Sequence, residues 1–449
     1  MVRKSNIVLL TIDCLRPDHL SLYGYHKNTS PNIDNLAKKG VVFRQAISNG
    51  AGTSTGFPPL LTSNYSLVHP FIELEKGKRS SGTFYLSDQK PTIAEVLREN
   101  GYATLSFASN PFISSFFNYD KGFEIFEDFL HLKMDKPVNK ISRLLRSKEH
   151  SVLYQLFKDL YLAYSELRGE MPYERADTIN ENAIASLKTT SKPFFLWLHY
   201  MDVHEPYHPR LKGLFQNLEA VYLNREVRKL MQTQRARRLS FGDISKQKLK
   251  KILDLYDRAI TYADLNFRNL VHNLEEEGNS IDNTIFIITA DHGEEFMEHG
   301  RFGHGYLYDE TIRVPLILCG PGIEDGIVIE DPVELLDIGP TILELVGIRK
   351  TKNFQGKSLL PLKRECNESR KMEIVSETKY REFSYRTEDW KYICYHFGTR
   401  MPNNKPELYD LSIDPLEKND VANENPEKTD VFETKILKHM TLLKRMRYE

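Results

Sequence analysis

Residues 284–305 read TIFIITADHGEEFMEHGRFGHG. An uncharged apolar run ends at Ala290, and Asp291 and His292 follow at once, then Glu294, Glu295, His299 and His304. An apolar run of this length, rich in Ile and Thr, reads as a strand buried on both faces. In open sheets of such strands the chain emerges at the rim of a crevice, where ligands bind. A cluster of titratable groups there costs desolvation free energy unless a metal or substrate offsets it. Adjacent carboxylate and imidazole form half of a site for a divalent ion.

Working outward, similar apolar runs stand at 6–12, 103–108, 194–200 and 314–319, separated by helix-like segments at 31–40, 91–100 and 255–277. That alternation predicts an α/β fold with helices on both faces of a parallel sheet. From about 365 the texture changes to short alternating strands, EIVSET, SYRTED, WKYICYHF and ELYDL, with a last helix at about 426–446. The expected organisation is a catalytic unit over 1–362, with helical insertions at about 137–180 and 210–255, and a small α+β subdomain over 363–449. Within the second insertion, 225–251 carries ten Lys and Arg against Glu226 and Asp243, which reads as a solvated helical hairpin or as a platform for an anionic substrate.

Three more clusters repeat the geometry of a strand end. NIVLLTIDCLRPDHLSLYGY (6–25) delivers Asp13 as a candidate metal ligand, although capping or a salt bridge would explain it equally, and Asp18 and His19 could be structural. WLHYMDVHEPYHP (197–209) carries His199, Asp202, His204 and His208, with His204 the preferred general acid or substrate ligand. SNGAGTSTGFPPLLTS (48–63) sets hydroxyls before a helix-like start, where the positive end of a helix suits an oxyanion or alkoxide and where a plain N-cap is the alternative.

Across 449 residues, 61 Lys and Arg nearly balance 62 Asp and Glu, so no global basic field exists to hold nucleic acid. Asp13 closes the first apolar run too early for a membrane span, and the other runs are strand-sized. A cytoplasmic protein with no membrane segment is expected. Cys14, Cys319, Cys366 and Cys394 lie far apart with no CxxC pair, as expected of reduced thiols.

Taken together, these residues resemble the sulfatase family of the alkaline phosphatase superfamily. The resemblance runs through NIVLLTIDCLRPDHLSLYGY, SPNIDNLAKKGVVF, the hydroxyl motif before LLTS, WLHYMDVHEPY, ITADHGEEFMEHG, ETIRVPLIL, LLDIGPTILELVGI, GKSLLPL, YRTEDWKYI and ELYDLSIDPLEKND. It implies a large α/β domain with a mixed, mainly parallel sheet, a small C-terminal antiparallel sheet plus helix, and one divalent ion beside a nucleophile at a helix N-terminus. Position by position it implies Asp13, Asp291 and His292 as metal ligands, Thr53 as nucleophile and further ligand, and His204 at the leaving group. Ser54 is the fallback nucleophile and Thr55 a weaker one. His304 stands where many members have a substrate-binding lysine, and Asn110 lies in the segment that normally contacts the anion. The ion could be calcium, manganese, magnesium or zinc.

The departures from the family pattern are chemical. TSTGF at 53–57 contains no cysteine for conversion to formylglycine, Phe57 replaces the arginine of that motif, Ser109–Asn110–Pro111 replaces a lysine-tryptophan-histidine segment, and Cys14 replaces a second metal Asp. A formylglycine hydrate sheds sulfate by elimination, whereas an esterified threonine must be released by attack at sulfur or phosphorus. Threonine therefore points to phosphoester or phosphodiester chemistry on a small-molecule, glycan or lipid-headgroup ester. A phosphoglycerol-type headgroup transferase and a noncatalytic scaffold are the alternatives.

Overall fold

The computed structural model describes residues 4–74, 82–130, 171–190, 193–207, 214–234, 240–360, 373–395 and 405–447. Its centre is a nine-stranded sheet in the order Ile327–Ile329, Gly40–Ile47, Arg313–Cys319, Thr284–Thr289, Asn6–Ile12, Phe194–Tyr200, Ala103–Ala108, Ile125–Glu127, with Val333–Glu334 also paired to Gly40–Ile47. All pairings are parallel except those of Arg313–Cys319, which runs antiparallel to both neighbours, so the sheet is mixed and mainly parallel.

The register positions the site. Thr11 lies opposite both His199 and Thr289, and the Asp13 amide donates to Tyr200 O at 2.9 Å, so three apolar strands end at one level and release their polar residues into one space. Ile7, Val8, Leu9 and Leu10 are fully buried, as a strand covered on both faces requires. One cover is the long helix Lys246–Glu276, which buries Ile252, Tyr256, Ile260, Ala263, Phe267, Leu270 and Leu274 at helical spacing.

Strands Ile374–Glu377, Glu382–Arg386, Trp390–Tyr395 and Glu407–Asp410 form an antiparallel sheet. The helix Pro426–Met446 covers it with Phe432, Ile436 and Leu443, and the Phe432 ring centroid lies 5.0 Å from that of Tyr385, the planes inclined at 42°. The expected domain boundary at 362/363 and most of the expected insertion at 137–180 lie outside the described residues. In the second insertion, helices Leu214–Gln234 and Lys246–Glu276 pair through Glu226 with Lys248 and through Glu219 with Lys251, each at 2.7 Å. Those lysines hold two helices together at the surface. The strand Gly40–Ile47, not read from the sequence as a strand, is the one inside the antiparallel edge of the sheet.

Candidate active site

Asp13, Thr53, Asp291 and His292 converge from three elements. Asp13 and Asp291 leave neighbouring strands, while Thr53 is the first residue of the helix Thr53–Thr62. That helix approaches so closely that a Cβ on Gly56 would lie 2.5 Å from the Asp291 carbonyl oxygen, which makes glycine obligatory there.

His292 Nε2 is the hub of the centre. It lies 3.5 Å from Asp13 Oδ1, 3.3 Å from Asp291 Oδ2 and 3.4 Å from Thr53 Oγ1. His292 Nδ1 lies 2.9 Å from Gly293 O, and a carbonyl can only accept, so Nδ1 carries the proton. Burial, then the charge of His304, lowers the ring's pKa to about 4, so the imidazole is neutral and its Nε2 lone pair faces three oxygens. Both Asp291 oxygens are buried without a hydrogen-bond partner. Burial and the Asp13 charge push the Asp291 carboxyl well above its ordinary value. Among the described side chains only the Thr53 hydroxyl can donate into these converging lone pairs, an unfavourable cluster that a cation would repair. Carboxylate, imidazole and hydroxyl donors therefore fit a divalent ion.

Asp13 is held differently. Burial acts to raise its carboxyl, but the charge of His204 and the hydrogen bond from His199, with His292, hold it well below the usual carboxylate range. His199 Nε2 donates to Asp13 Oδ2 at 3.3 Å, and the Phe57 ring meets the His199 ring edge-on at 4.9 Å. Phe57 is thus a buried wall behind the ligand-orienting histidine. Asn110 Nδ2 donates to Asp13 Oδ2 at 3.2 Å, while its Oδ1 accepts from the Phe112 amide at 3.0 Å. Expected as a substrate contact, Asn110 spends both ends of its amide inside the protein, one of them orienting the candidate metal ligand Asp13.

His204 Nδ1 donates to Glu205 O at 2.5 Å, leaving Nε2 for the site. Burial acts to lower its pKa, yet Asp13, Glu205 and Glu294 raise it above the ordinary value, as suits a proton donor. His304 stands on a turn bracketed by Gly303 and Gly305, both at φ 98°, with its ring centroid 4.4 Å from that of His292 and 5.5 Å from that of His204. Glu294, fully buried, faces it, with Oε2 lying 3.6 Å from His304 Nδ1.

Other polar residues of the same clusters lie elsewhere. Asp18 pairs with Arg16 and His19 with Asp257, each at 2.7 Å, as structural ion pairs. Asp202 accepts from the Ala176 amide at the start of the helix Ala176–Leu187, and His299 stacks on Tyr308 at 3.8 Å. Ser54 is half-buried, and Thr55 Oγ1 donates to Gly52 O at 3.1 Å. His208 lies outside the described residues. Sequence reading did not assign His199 and Glu294 their places. His199 could have been found by asking which residue lies opposite Thr11 in a parallel pairing.

Fold and site define a class: an α/β protein of alkaline phosphatase type, with a metal-competent centre at the strand ends and a hydroxyl at a helix N-terminus. Residues 5–348 match the sulfatase profile and residues 297–445 match that of N-sulphoglucosamine sulphohydrolase, C-terminal. The chain belongs to the sulfatase family, a family of ester hydrolases. Human arylsulfatase K is 34% identical over 207 residues, 43% of this chain and 38% of that protein, so the matched segment spans well under half of that relative. Arylsulfatase K of Xenopus laevis is 24% identical over 96% of this chain and 82% of its own. A protein solved in complex with its substrate D-glucosamine-2-N,6-O-disulfate superposes with TM-score 0.72 at 19% identity, covering 99% of each chain. The phosphonate monoester hydrolase of Agrobacterium radiobacter gives TM-score 0.70 at 20% identity, over 98% of this chain and 96% of that one. At such identities the structural likeness establishes the fold alone.

Proposed function

We propose that this protein is a metal-dependent hydrolase of anionic esters that uses Thr53 as its nucleophile, with phosphoesters and phosphodiesters favoured over sulfate esters. The observation that carries this reading is the Thr53 hydroxyl, the first residue of a buried helix, 3.4 Å from His292 Nε2 among three other candidate ligands. Asp13, Asp291, His292 and Thr53 would hold the ion, and calcium, manganese, magnesium and zinc all suit oxygen donors with one imidazole. Such an ion supplies neutralisation of a nonbridging ester oxygen and a lowered pKa for the threonine hydroxyl.

The chain's own groups then do the following. Thr53 Oγ1, its proton released to solvent, attacks phosphorus in line, forming an O–P bond as the P–O bond to the departing alcohol breaks. The Nε2 proton of His204 goes to that alcohol. Water attacks the phosphothreonine, its proton returns to the neutral His204, and the O–P bond to Thr53 breaks to regenerate the deprotonated threonine oxygen. Donors at the helix N-terminus favour the anion throughout. A sugar or lipid-headgroup ester is the proposed substrate class, supported by the sulfated glucosamine bound by one structural neighbour.

The test is parallel turnover of an aryl sulfate, an aryl phosphate monoester and a bis-aryl phosphodiester by chelated, metal-reloaded and Thr53→Ala protein. Fastest diester turnover, lost with either the metal or Thr53, is the expected result. Sulfate turnover that survives Thr53→Ala would overturn the reading.

A further inference from the structure

Beside the proposed ion lies a second group of donors that the single-ion reading does not use. Cys14 follows Asp13 in the left-handed region (φ 60°), which turns the thiol back toward the site where a continuing strand would carry it away. Its Sγ lies 3.8 Å from His304 Nδ1, and His304 Nδ1 lies 3.6 Å from Glu294 Oε2. Cys14, His204 and His304 can each offer one ligand atom within 4.8 Å of the others. Cys14 and Glu294 are fully buried.

Two alternatives fail to account for this arrangement. As a packing residue, Cys14 would sit among apolar side chains, but its sulfur faces Asp13 Oδ1 at 3.1 Å, His292 Nδ1 at 3.8 Å and His304 Nδ1 at 3.8 Å. As a structural carboxylate, Glu294 would accept hydrogen bonds of ordinary length, yet the groups that face it are the His304 imidazole, 3.6 Å from Oε2, and the Cys14 thiol. A buried carboxylate aimed at an imidazole and a thiol, with no hydrogen bond of ordinary length among the described residues, has the donor set of a metal site.

We propose that Cys14, His304 and Glu294 form a second metal site for a thiophilic divalent ion such as zinc, making the centre binuclear. The spacing fits. Tetrahedral zinc with bonds of about 2.0–2.3 Å places its ligand atoms about 3.3–3.8 Å apart. Three protein ligands leave a fourth position open, and His204 borders it, so His204 remains free to protonate a leaving group. Binding takes the thiol proton of Cys14 into solvent and uses the neutral form of His304. A soft thiolate ligand also separates the two positions chemically. The first site is built from oxygens and one imidazole, whereas the second prefers zinc or cobalt to calcium or magnesium.

The proposal deepens the hydrolase reading by giving the substrate anion a second cationic contact where the family's anion-binding lysine is replaced by His304. It is tested by stripping the whole protein with chelator, titrating with cobalt or zinc, and measuring ions per chain together with the near-ultraviolet thiolate-to-cobalt band. About two ions per chain and a thiolate band are expected. Cys14→Ser removes the band and one ion, while Asp291→Asn removes the other ion and keeps the band. His304→Ala, on a partly exposed turn, is the second variant should Cys14→Ser fold poorly, and it weakens cobalt binding at the thiolate site by about tenfold or more. One ion per chain with no thiolate band overturns the second site, even if turnover still requires Thr53. Two ions and a band without ester turnover would sustain this site and remove the hydrolase reading.

Discussion

Among the buried groups of charges in the described residues, two differ in how far the chain itself balances them. Where the large sheet meets the C-terminal sheet, Asp309 takes Arg386 and Lys391, each at 2.7 Å, and Lys391 also reaches Glu417 at 2.6 Å. Lys391 is fully buried, and every charge in this group faces an opposite one. Burial acts to raise the Asp309 carboxyl, but Arg386 and Lys391 drive it far below its usual value. At the strand ends, by contrast, Asp13, Asp291 and Glu294 are fully buried with no lysine or arginine paired to them among the described residues; histidine charges act on Asp13 and Glu294, while Asp291 faces the charge of Asp13. A balanced cluster belongs to stability. Carboxylates that the chain's own lysines and arginines do not answer mark a candidate ligand site.

This contrast is sharpened most by Asp291→Asn. Removing one of two apposed carboxylates relieves repulsion, so the metal-free variant melts higher than the metal-free parent, while turnover falls by about a thousandfold, or ~4 kcal/mol of barrier. Calorimetry and kinetics on the same preparation check both signs. A lower melting temperature for metal-free Asp291→Asn would break the comparison. Lys391→Met should do the reverse. It leaves Glu417 buried without its cation, at a cost of about 3–5 kcal/mol in chemical denaturation, with turnover per folded molecule unchanged.

A smaller effect is carried by pH. The pKa of His204 is raised above 6.5, so its protonated form persists to higher pH than an ordinary histidine. The maximal rate therefore falls as pH rises through the raised value, and His204→Gln is slow at neutral pH without that alkaline limb. The linkage has the same sign, because the stability conferred by a raised folded pKa is fully present below the unfolded value and lost as pH rises through the folded one. Least of all should follow from Lys251→Ala, which breaks an exposed pair with Glu219 and should leave both melting temperature and turnover unchanged.

Much of the fold was legible because buried parallel strands leave a one-dimensional mark, a continuous apolar run closed by a polar residue. The run 194–200 and the helix 426–446 coincide with the observed elements Phe194–Tyr200 and Pro426–Met446. Gly40–Ile47 was missed as a strand because Arg44 and Gln45 interrupt its apolar run, their half-buried side chains being tolerated near the sheet edge. The donor atoms of the site were legible as residue types, but their pairing was not. Which residue orients Asp13 depends on the register between strands more than 180 positions apart, and that set His199 and not Asn110 alone against its carboxylate. Likewise the basic stretch 225–251 could not reveal that Glu219 and Glu226 would answer its lysines, since only the packing of two helices brings them together.

The central claim is that Thr53 becomes covalently attached during turnover. Rapid acid quench of metal-loaded protein with a bis-aryl phosphodiester, followed by peptide mass spectrometry, tests it most directly. The account predicts an aryl-phosphoryl adduct on the peptide that carries Thr53, absent without metal. Steady turnover with no adduct there, or with the adduct on another side chain, would contradict it.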